Sequence, residues 1–489
     1  MYDDPGAPED VGGPERLSPG RHDSVAPGHN YRYLLPLAFT AALGGFLFGY
    51  DTAVVSGAIS FLKSHFQLSA DSTGWAAASM LVGCMLGAAL AGPLGDRCGR
   101  KWMLIACAVL FVVSAVASAI PHTIEQFAWS RFAAGVAIGA ASMLCPLYIA
   151  EISPENVRGT LVTLYQLAIV VGALTVFCVN LQIQRLGNET WNTNIGWRWM
   201  FASLALPAVL FGVLMLFVPE SPRWLMKAGR RDKAFGILRR VAGEVNAARE
   251  VRNIEDALRQ EEGRWSELFS RHYGRALTIG VLLAVLAQLS GINAIMYYAP
   301  AIFRGVGFGT EAAFTQTVII GVVDLAFTLV AIWLIDRVGR RPLLIAGTCL
   351  QVVSEALIGL MFYRNEQGPM LLGSILLFCG AFNLAMAPIP WVIASEIFPT
   401  KLRGRAMSVA VMALWLADFV VTQTFPRLNE TIGAANTFWI YAFFSLLSVV
   451  FVATMVPETK GRTLEEIEAL WRGEGFSPHS HAGSGNHVL

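Results

Sequence analysis

The chain has 489 residues, 55% of them hydrophobic and only 15% charged, where an average soluble protein carries about 25% charged residues. Lys and Arg number 36 against 35 Asp and Glu, so the formal net charge of +1 carries no information about nucleic acid, which is not an expected partner, and what matters is where the charges sit. Seven cysteines (Cys84, Cys98, Cys107, Cys145, Cys178, Cys349 and Cys379) fall mostly inside apolar runs, without paired or metal-like spacing. They read as small hydrophobes. What remains is a protein that crosses a membrane many times.

Residues 1–32 are rich in Pro, Gly and Asp and read as a disordered cytoplasmic tail with no apolar core of a signal peptide. Apolar runs follow at 34–60, 74–95, 102–120, 127–150, 160–184 and 199–218. Each is close to the roughly 20 residues that a spanning helix needs. A polar, basic stretch at 219–274 reads as a small helical cytoplasmic domain. Six more runs stand at 275–300, 313–335, 343–363, 370–394, 405–426 and 435–456, ahead of a cytoplasmic tail at 457–489. The predicted fold is therefore an all-α membrane protein with 12 transmembrane helices in two pseudo-symmetric six-helix halves, 33–218 and 275–456.

The halves are written twice. Asp96-Arg97-Cys98-Gly99-Arg100-Lys101 is answered by Asp336-Arg337-Val338-Gly339-Arg340-Arg341. Glu151 and Arg158 are answered at equal spacing by Glu396 and Arg403, and the segment of Val218 to Trp224 by that of Val456 to Arg462. Three matched signals in one order mark a duplicated domain. Lys and Arg concentrate in the loops that carry these motifs, leaving single charges such as Lys63, Arg304 and Arg364 in the others. That bias predicts a multi-pass protein of the cytoplasmic membrane with both termini cytoplasmic. Asn188 and Asn429 open short glycosylation-like triplets of little weight.

The ordered set GYDTAVVSG, GPLGDRCGRK, PLYIAEISPENVRG, PESPRWL, QLSGINAIMYYAP, DRVGRRP, PIPWVIASEIFP and PETKGRTLEE resembles the sugar porter family of the major facilitator superfamily. The likeness covers about residues 34–465 and is nearest in pattern to the bacterial xylose–proton symporters within that family. It implies a cytoplasmic gate of Asp96, Arg97, Arg100, Glu151, Arg158 and Glu220 in one half. In the other half the gate would be Asp336, Arg337, Arg340, Glu396, Arg403 and Glu458. As ordinary surface ion pairs these would be worth about 0–1 kcal/mol each, but their duplication favours a latch between the halves that breaks as they rock. Proline in each segment ends its helix, so Glu151 is expected to pair across helices rather than with Arg158 along one.

Asp51 lies deep in the first run and Arg131 near the start of the fourth. A mid-membrane charge costs about 2.5–3.5 kcal/mol on insertion scales and is normally paired and functional. Burial favours a protonated Asp51 and a nearby Arg131 favours its carboxylate, so a change in their separation would tie protonation to conformation. The alternative is a fixed strut joining two helices. A sugar's hydroxyls and apolar ring face call for amides and aromatic platforms, and Gln288, Asn293 and Tyr297 stand in the seventh run at near-helical spacing expected to put much of them on one side. With them the resemblance implies Trp391 in the tenth run, Gln166 in the fifth, Trp415 in the eleventh and Phe48 beside Asp51. The weak Ser290-Gly291 pair, and Pro388 with Pro390, predict two broken helices. Singly, each amide would pass as glue between helices at about 0.6 kcal/mol and each Trp as an interfacial anchor.

The chain departs from the family pattern at Ala173, Ala287 and Leu414, where amides or other polar groups are usual, and at Asn383. Asp324 and Asp418 stand where Asn is usual, and Asp324 is a further candidate for the pocket. The expected function is proton-coupled symport of a pentose or hexose by alternating access, by a monomer in the lipid bilayer without cofactor or metal. A passive facilitator and a transporter-like nutrient sensor are the alternatives. An enzyme is not expected, because no Ser/His/Asp set, His/Cys cluster or phosphate loop occurs in a matching context.

Overall fold

The computed structural model describes residues 30–259, 265–270, 273–305, 307–366, 368–398 and 402–460, so most of the two predicted tails lies outside the described residues. Within them the apolar runs form 12 long helices. The first six are Tyr31–Phe66, Ala70–Cys98, Arg100–Ala119, Ile124–Ile152, Val157–Arg185 and Glu189–Phe217. The second six are Gly274–Gly305, Thr310–Val338, Arg340–Tyr363, Pro369–Ala394, Arg403–Thr431 and Gly433–Met455. No strand occurs among the described residues. In hydrocarbon every backbone N–H and C=O must be satisfied within its own segment, which leaves a helix as the solution for such a run. Valines 109, 113 and 116 in the third span, and Leu206, Leu210 and Phe217 in the sixth, face outward. In water such stripes would aggregate; in a bilayer they are the solvent-facing surface.

Small residues set how closely the spans approach. Gly83 and Gly87 of the second span face Gly135 and Gly139 of the fourth, where an added Cβ would lie 1.8–2.2 Å from the opposing backbone oxygens. Gly45 and Gly49 meet the carbonyl oxygens of Tyr165 and Ile169 of the fifth span in the same way. Close backbone contact of this kind replaces the missing hydrophobic drive between helices in lipid. The two halves meet along spans 2 and 11, 5 and 8, and 1 and 7, a pattern that a two-fold repeat maps onto itself.

Both expected breaks are present. The seventh span stops at Leu289 and restarts at Ile292, with Gly291 at φ +77 between them. The tenth stops at Leu384 and restarts at Ile389, whose preceding residue is Pro388. The sixth span starts ten residues before the predicted 199, through the turn Asn192–Gly196, whose wider winding the polar run NTNIG did not signal. Between the halves, helices Pro222–Lys227, Arg231–Ala242, Glu244–Arg259 and Trp265–Leu268 form the predicted helical domain. Leu238, Ala247, Val251 and Ile254 are its core, closed over by Met226 and Phe235.

Candidate functional site

The two copies of the charged motif fold into the same arrangement. Gly99 (φ +95) and Gly339 (φ +106) turn the chain out of the second and eighth spans. The next residue, Arg100 or Arg340, folds back as a hub. Arg100 pairs with Asp96 at 2.8 Å and with Glu151 at 3.1 Å, and donates to the Gly95 carbonyl at 2.9 Å. Arg340 pairs with Asp336 and with Glu396, both at 3.1 Å, and donates to the Ile335 carbonyl at 3.3 Å. Glu220 accepts the backbone N–H of Arg100 at 2.9 Å and of Lys101 at 3.1 Å, and Glu458 those of Arg340 at 3.2 Å and Arg341 at 3.0 Å. Each glutamate therefore caps the N-terminus of a span, where free N–H groups and the helix dipole favour an anion. Burial pushes the Glu458 carboxyl up, but the backbone N–H groups of Lys460, Arg341, Arg340 and Thr459 together outweigh it and hold the group below its ordinary 4.5.

These pairs run across helices, as expected, but the partners differ from a latch between halves. Glu151 also accepts from the Ser221 hydroxyl, and Arg158 reaches Glu250 of the helical domain at 3.3 Å. Arg403 donates to the Phe398 carbonyl at 3.4 Å, Arg337 lies 4.0 Å over the Trp333 ring, and Arg97 has no ion-pair partner among the described residues. Among the described residues, every ion pair of the twelve gate candidates stays within its own half or goes to the domain. The pairs that do bridge the halves lie on the opposite face. Arg185 meets Glu311 at 2.7 Å, Arg304 meets Glu189 at 2.8 Å and Arg427 meets Asp71 at 3.5 Å. Gln423 adds a hydrogen bond to the Asp71 carbonyl at 3.0 Å. None of these residues belongs to a repeated motif, so nothing in the sequence set them apart from isolated charges such as Arg304.

Deep in the first half, Arg131 and Asp51 are paired at 2.5 Å with both side chains buried. Arg131 also donates to the Asp51 carbonyl at 3.0 Å and lies 5.2 Å over the Phe201 ring. The second carboxylate oxygen, Oδ2, has no partner among the described residues. Asp51 is thus held at one oxygen and free at the other.

The candidate pocket residues fall into groups. Asn293 donates to Gln288 at 2.6 Å across the break in the seventh span. Five residues apart on an unbroken helix they would point about 140° away from each other, so the break rather than helical spacing brings them together. Tyr297, one turn after Asn293, donates to Asp418 at 3.4 Å, and Thr422 donates to the same carboxylate at 3.0 Å. Phe48 of the first half meets Trp415 of the second at 5.7 Å, and the buried Trp415 indole N–H has no acceptor among the described residues. Asp324 is separate from both groups: it accepts from Asn383 at 2.7 Å. Gln166 is half-buried and Trp391 exposed, neither with a hydrogen-bond partner among the described residues. Amides at a helix break, an indole with a spare donor and an aromatic face can together hold a ring that carries hydroxyls.

A family model described as "Sugar (and other) transporter" matches residues 37–471. The arabinose-proton symporter of Bacillus subtilis is 42% identical over 460 residues, covering 94% of this chain and 99% of that protein. The D-xylose-proton symporter of Escherichia coli K12 is 40% identical over 478 residues, covering 91% and 97%. Among solved structures, the inward open conformation of the xylose transporter XylE from E. coli superposes with a TM-score of 0.80 at 39% identity, covering 90% of this chain and 100% of that one. XylE bound to 6-bromo-6-deoxy-D-glucose, titled a major facilitator superfamily proton:xylose symporter, gives 0.79 at 40%, covering 91% and 100%. With a duplicated six-helix half, two broken helices and matches of this extent, the chain belongs to the sugar transporter family of the major facilitator superfamily.

Proposed function

We propose that this protein is a proton-coupled monosaccharide symporter working by alternating access, with both termini and the helical domain in the cytoplasm. The buried Asp51–Arg131 pair carries the reading. A change in the separation of Asp51 and Arg131 as the halves rock ties proton uptake at Asp51 to the side that is open. The open Oδ2 is where a proton enters without first breaking the pair. Phe48 stands three residues earlier on the same helix and touches Trp415 of the other half, so sugar gripped between the halves acts on the helix that carries the proton site. The names of the arabinose and xylose relatives support the coupling.

Gln288, Asn293, Tyr297, Trp415 and Phe48 form the proposed sugar site, with Gln166 and Trp391 closing on the ring as the halves move. The concentration of Lys and Arg on the domain face supports the orientation, and the bridged opposite face is then the closed extracellular side. The charged hubs around Arg100 and Arg340 are the parts of an inner gate that exchange partners when that side shuts. Asp324, held by the Asn383 amide apart from these groups, is a further candidate for tuning sugar choice. Asp324→Asn is expected to change the order of affinities across a pentose and hexose panel in binding measurements; an unaltered order would remove it from the site.

The deciding experiment is uptake of labelled monosaccharides into proteoliposomes with and without an inside-negative, acid-outside gradient. One charge moving through 100 mV is worth about 2.3 kcal/mol, which supports roughly 50-fold accumulation with one proton per sugar. Uphill uptake that a protonophore collapses is the expected result. Uptake that only equilibrates would make the protein a facilitator.

A further inference from the structure

The domain face carries a second site whose chemistry differs from the sugar pocket. A cavity of about 480 Å³ opens where the start of the third span meets the domain helix Arg231–Ala242. Lys101, Arg230, Lys233, Arg239 and Arg240 line it, with Trp102 at its edge. Lys233 and Arg240 lie seven residues apart, with Gly236 and Ile237 between them, so one face of this helix forms the wall.

Two observations separate this cluster from ordinary surface charge. First, neighbouring cations are spent: Lys227 pairs with Asp96 at 2.9 Å and Arg231 with Glu255 at 3.1 Å. Arg230, Lys233, Arg239 and Arg240 are exposed and have no ion-pair partner among the described residues. The one carboxylate in the lining, Glu220, is saturated by the backbone N–H groups of Arg100, Lys101 and Ser221. Among the described residues the cavity is thus a concave cationic surface whose one carboxylate is already engaged. Secondly, its outer edge is lipid-facing. Trp102 is 59% exposed and Phe217, at the end of the sixth span, 82% exposed. Lys101 bridges the two spans by donating to the Leu216 carbonyl at 2.8 Å. An exposed Trp at the end of a span marks the level of the headgroups, so the cations stand where phosphates lie and the rings where acyl chains begin.

We propose that this cavity binds a phosphate group, supplied in the membrane by the headgroup of an anionic phospholipid. Basic pockets between spans and the cytoplasmic surface suit such headgroups, and each Lys or Arg near an anionic surface contributes about fivefold in affinity. The bound lipid ties the domain helix to the third span beside the Arg100 hub. It thereby links membrane composition to the part of the protein that must move for the inner gate to work.

The test uses the full chain in nanodiscs of phosphatidylcholine, titrated with short-chain phosphatidylglycerol and read by native mass spectrometry. The expected result is one retained phosphatidylglycerol, lost about tenfold or more in the Lys233→Gln/Arg239→Gln/Arg240→Gln variant and kept in Arg239→Lys/Arg240→Lys. Sugar affinity and melting in pure phosphatidylcholine report that the variant is folded. Should the triple variant not fold, the single substitutions at the same positions, each costing about fivefold, carry the test. Equal retention of phosphatidylglycerol by protein and variant, or no preference for it over phosphatidylcholine, overturns the proposal. Inorganic phosphate that binds while the lipid does not overturns the lipid source.

Discussion

Asp51 shows how a single buried residue is tuned by its neighbours. Arg131 satisfies one oxygen at 2.5 Å and leaves the other without a partner among the described residues. Asp51→Asn keeps the shape and fixes the neutral form. It is expected to abolish accumulation in proteoliposomes while sugar exchange continues; loss of exchange and binding together would make the pair a strut. Gly99 and Gly339 carry a different demand. Their positive φ, with extended ψ, is a region that essentially only glycine enters, and a Cβ on Gly99 would lie 2.3 Å from the Glu220 carboxylate. Gly99→Ala is therefore expected to cost about 1–3 kcal/mol, read as a lower melting temperature in detergent. Gly159→Ala, at a helical position with open space around it, serves as the control and should be neutral or slightly stabilising. Equal melting of the two variants would refute the assignment.

Among the elements, the seventh span repays the closest attention. Gln288 and Asn293 were legible as candidate sugar ligands because amides answer a sugar's hydroxyls and the two match the pocket of the resembling family, and Ser290-Gly291 was legible as a weak point. Their meeting was not legible, since helical spacing sets them apart and only the positive φ of Gly291 turns Asn293 back onto Gln288. Gly291 also packs under the Tyr441 ring, where a Cβ would lie 2.3 Å from Cδ2. Gly291→Ala must then straighten the break or displace Tyr441. Sugar affinity by calorimetry should fall by about tenfold or more, the scale of losing one well-placed polar contact; an unchanged Kd would mean the pocket does not depend on the break. The wider turn at Asn192–Gly196 was hidden for another reason: a polar stretch near a membrane boundary looks like a loop whether or not it is wound. Glu355 was likewise overlooked inside the ninth run, where it is fully buried and accepts from Ser445 of the twelfth span at 3.0 Å.

At the scale of the molecule, duplication was the strongest signal in the sequence, and the structure repeats it hub for hub around Arg100 and Arg340. What a sequence does not carry is which of two alternating arrangements the charges occupy. The ion pairs of the motif residues stay inside their own halves or go to the helical domain, whereas the unrepeated residues Asp71, Arg185, Glu189, Arg304, Glu311 and Arg427 join the halves on the opposite face. This difference gives the balance between the two open forms a testable cause. The bridging side chains are mostly exposed, so each pair is worth about 0–1 kcal/mol and salt weakens it. One substitution, such as Glu311→Gln, should move the population by a factor of about two to five. Removing all three with Asp71→Asn/Glu189→Gln/Glu311→Gln should move it by about tenfold, because the pairs are far enough apart to add. Spin labels on the opposite ends of the second and eleventh spans would report the change as a longer distance distribution by pulsed electron resonance. Raising the salt concentration should shift the parent protein the same way and leave the triple variant unmoved. If the variant keeps the parent's distances at every salt concentration, apolar packing of the kind seen between Phe61 and Phe314 holds that face closed, and the charges only decorate it.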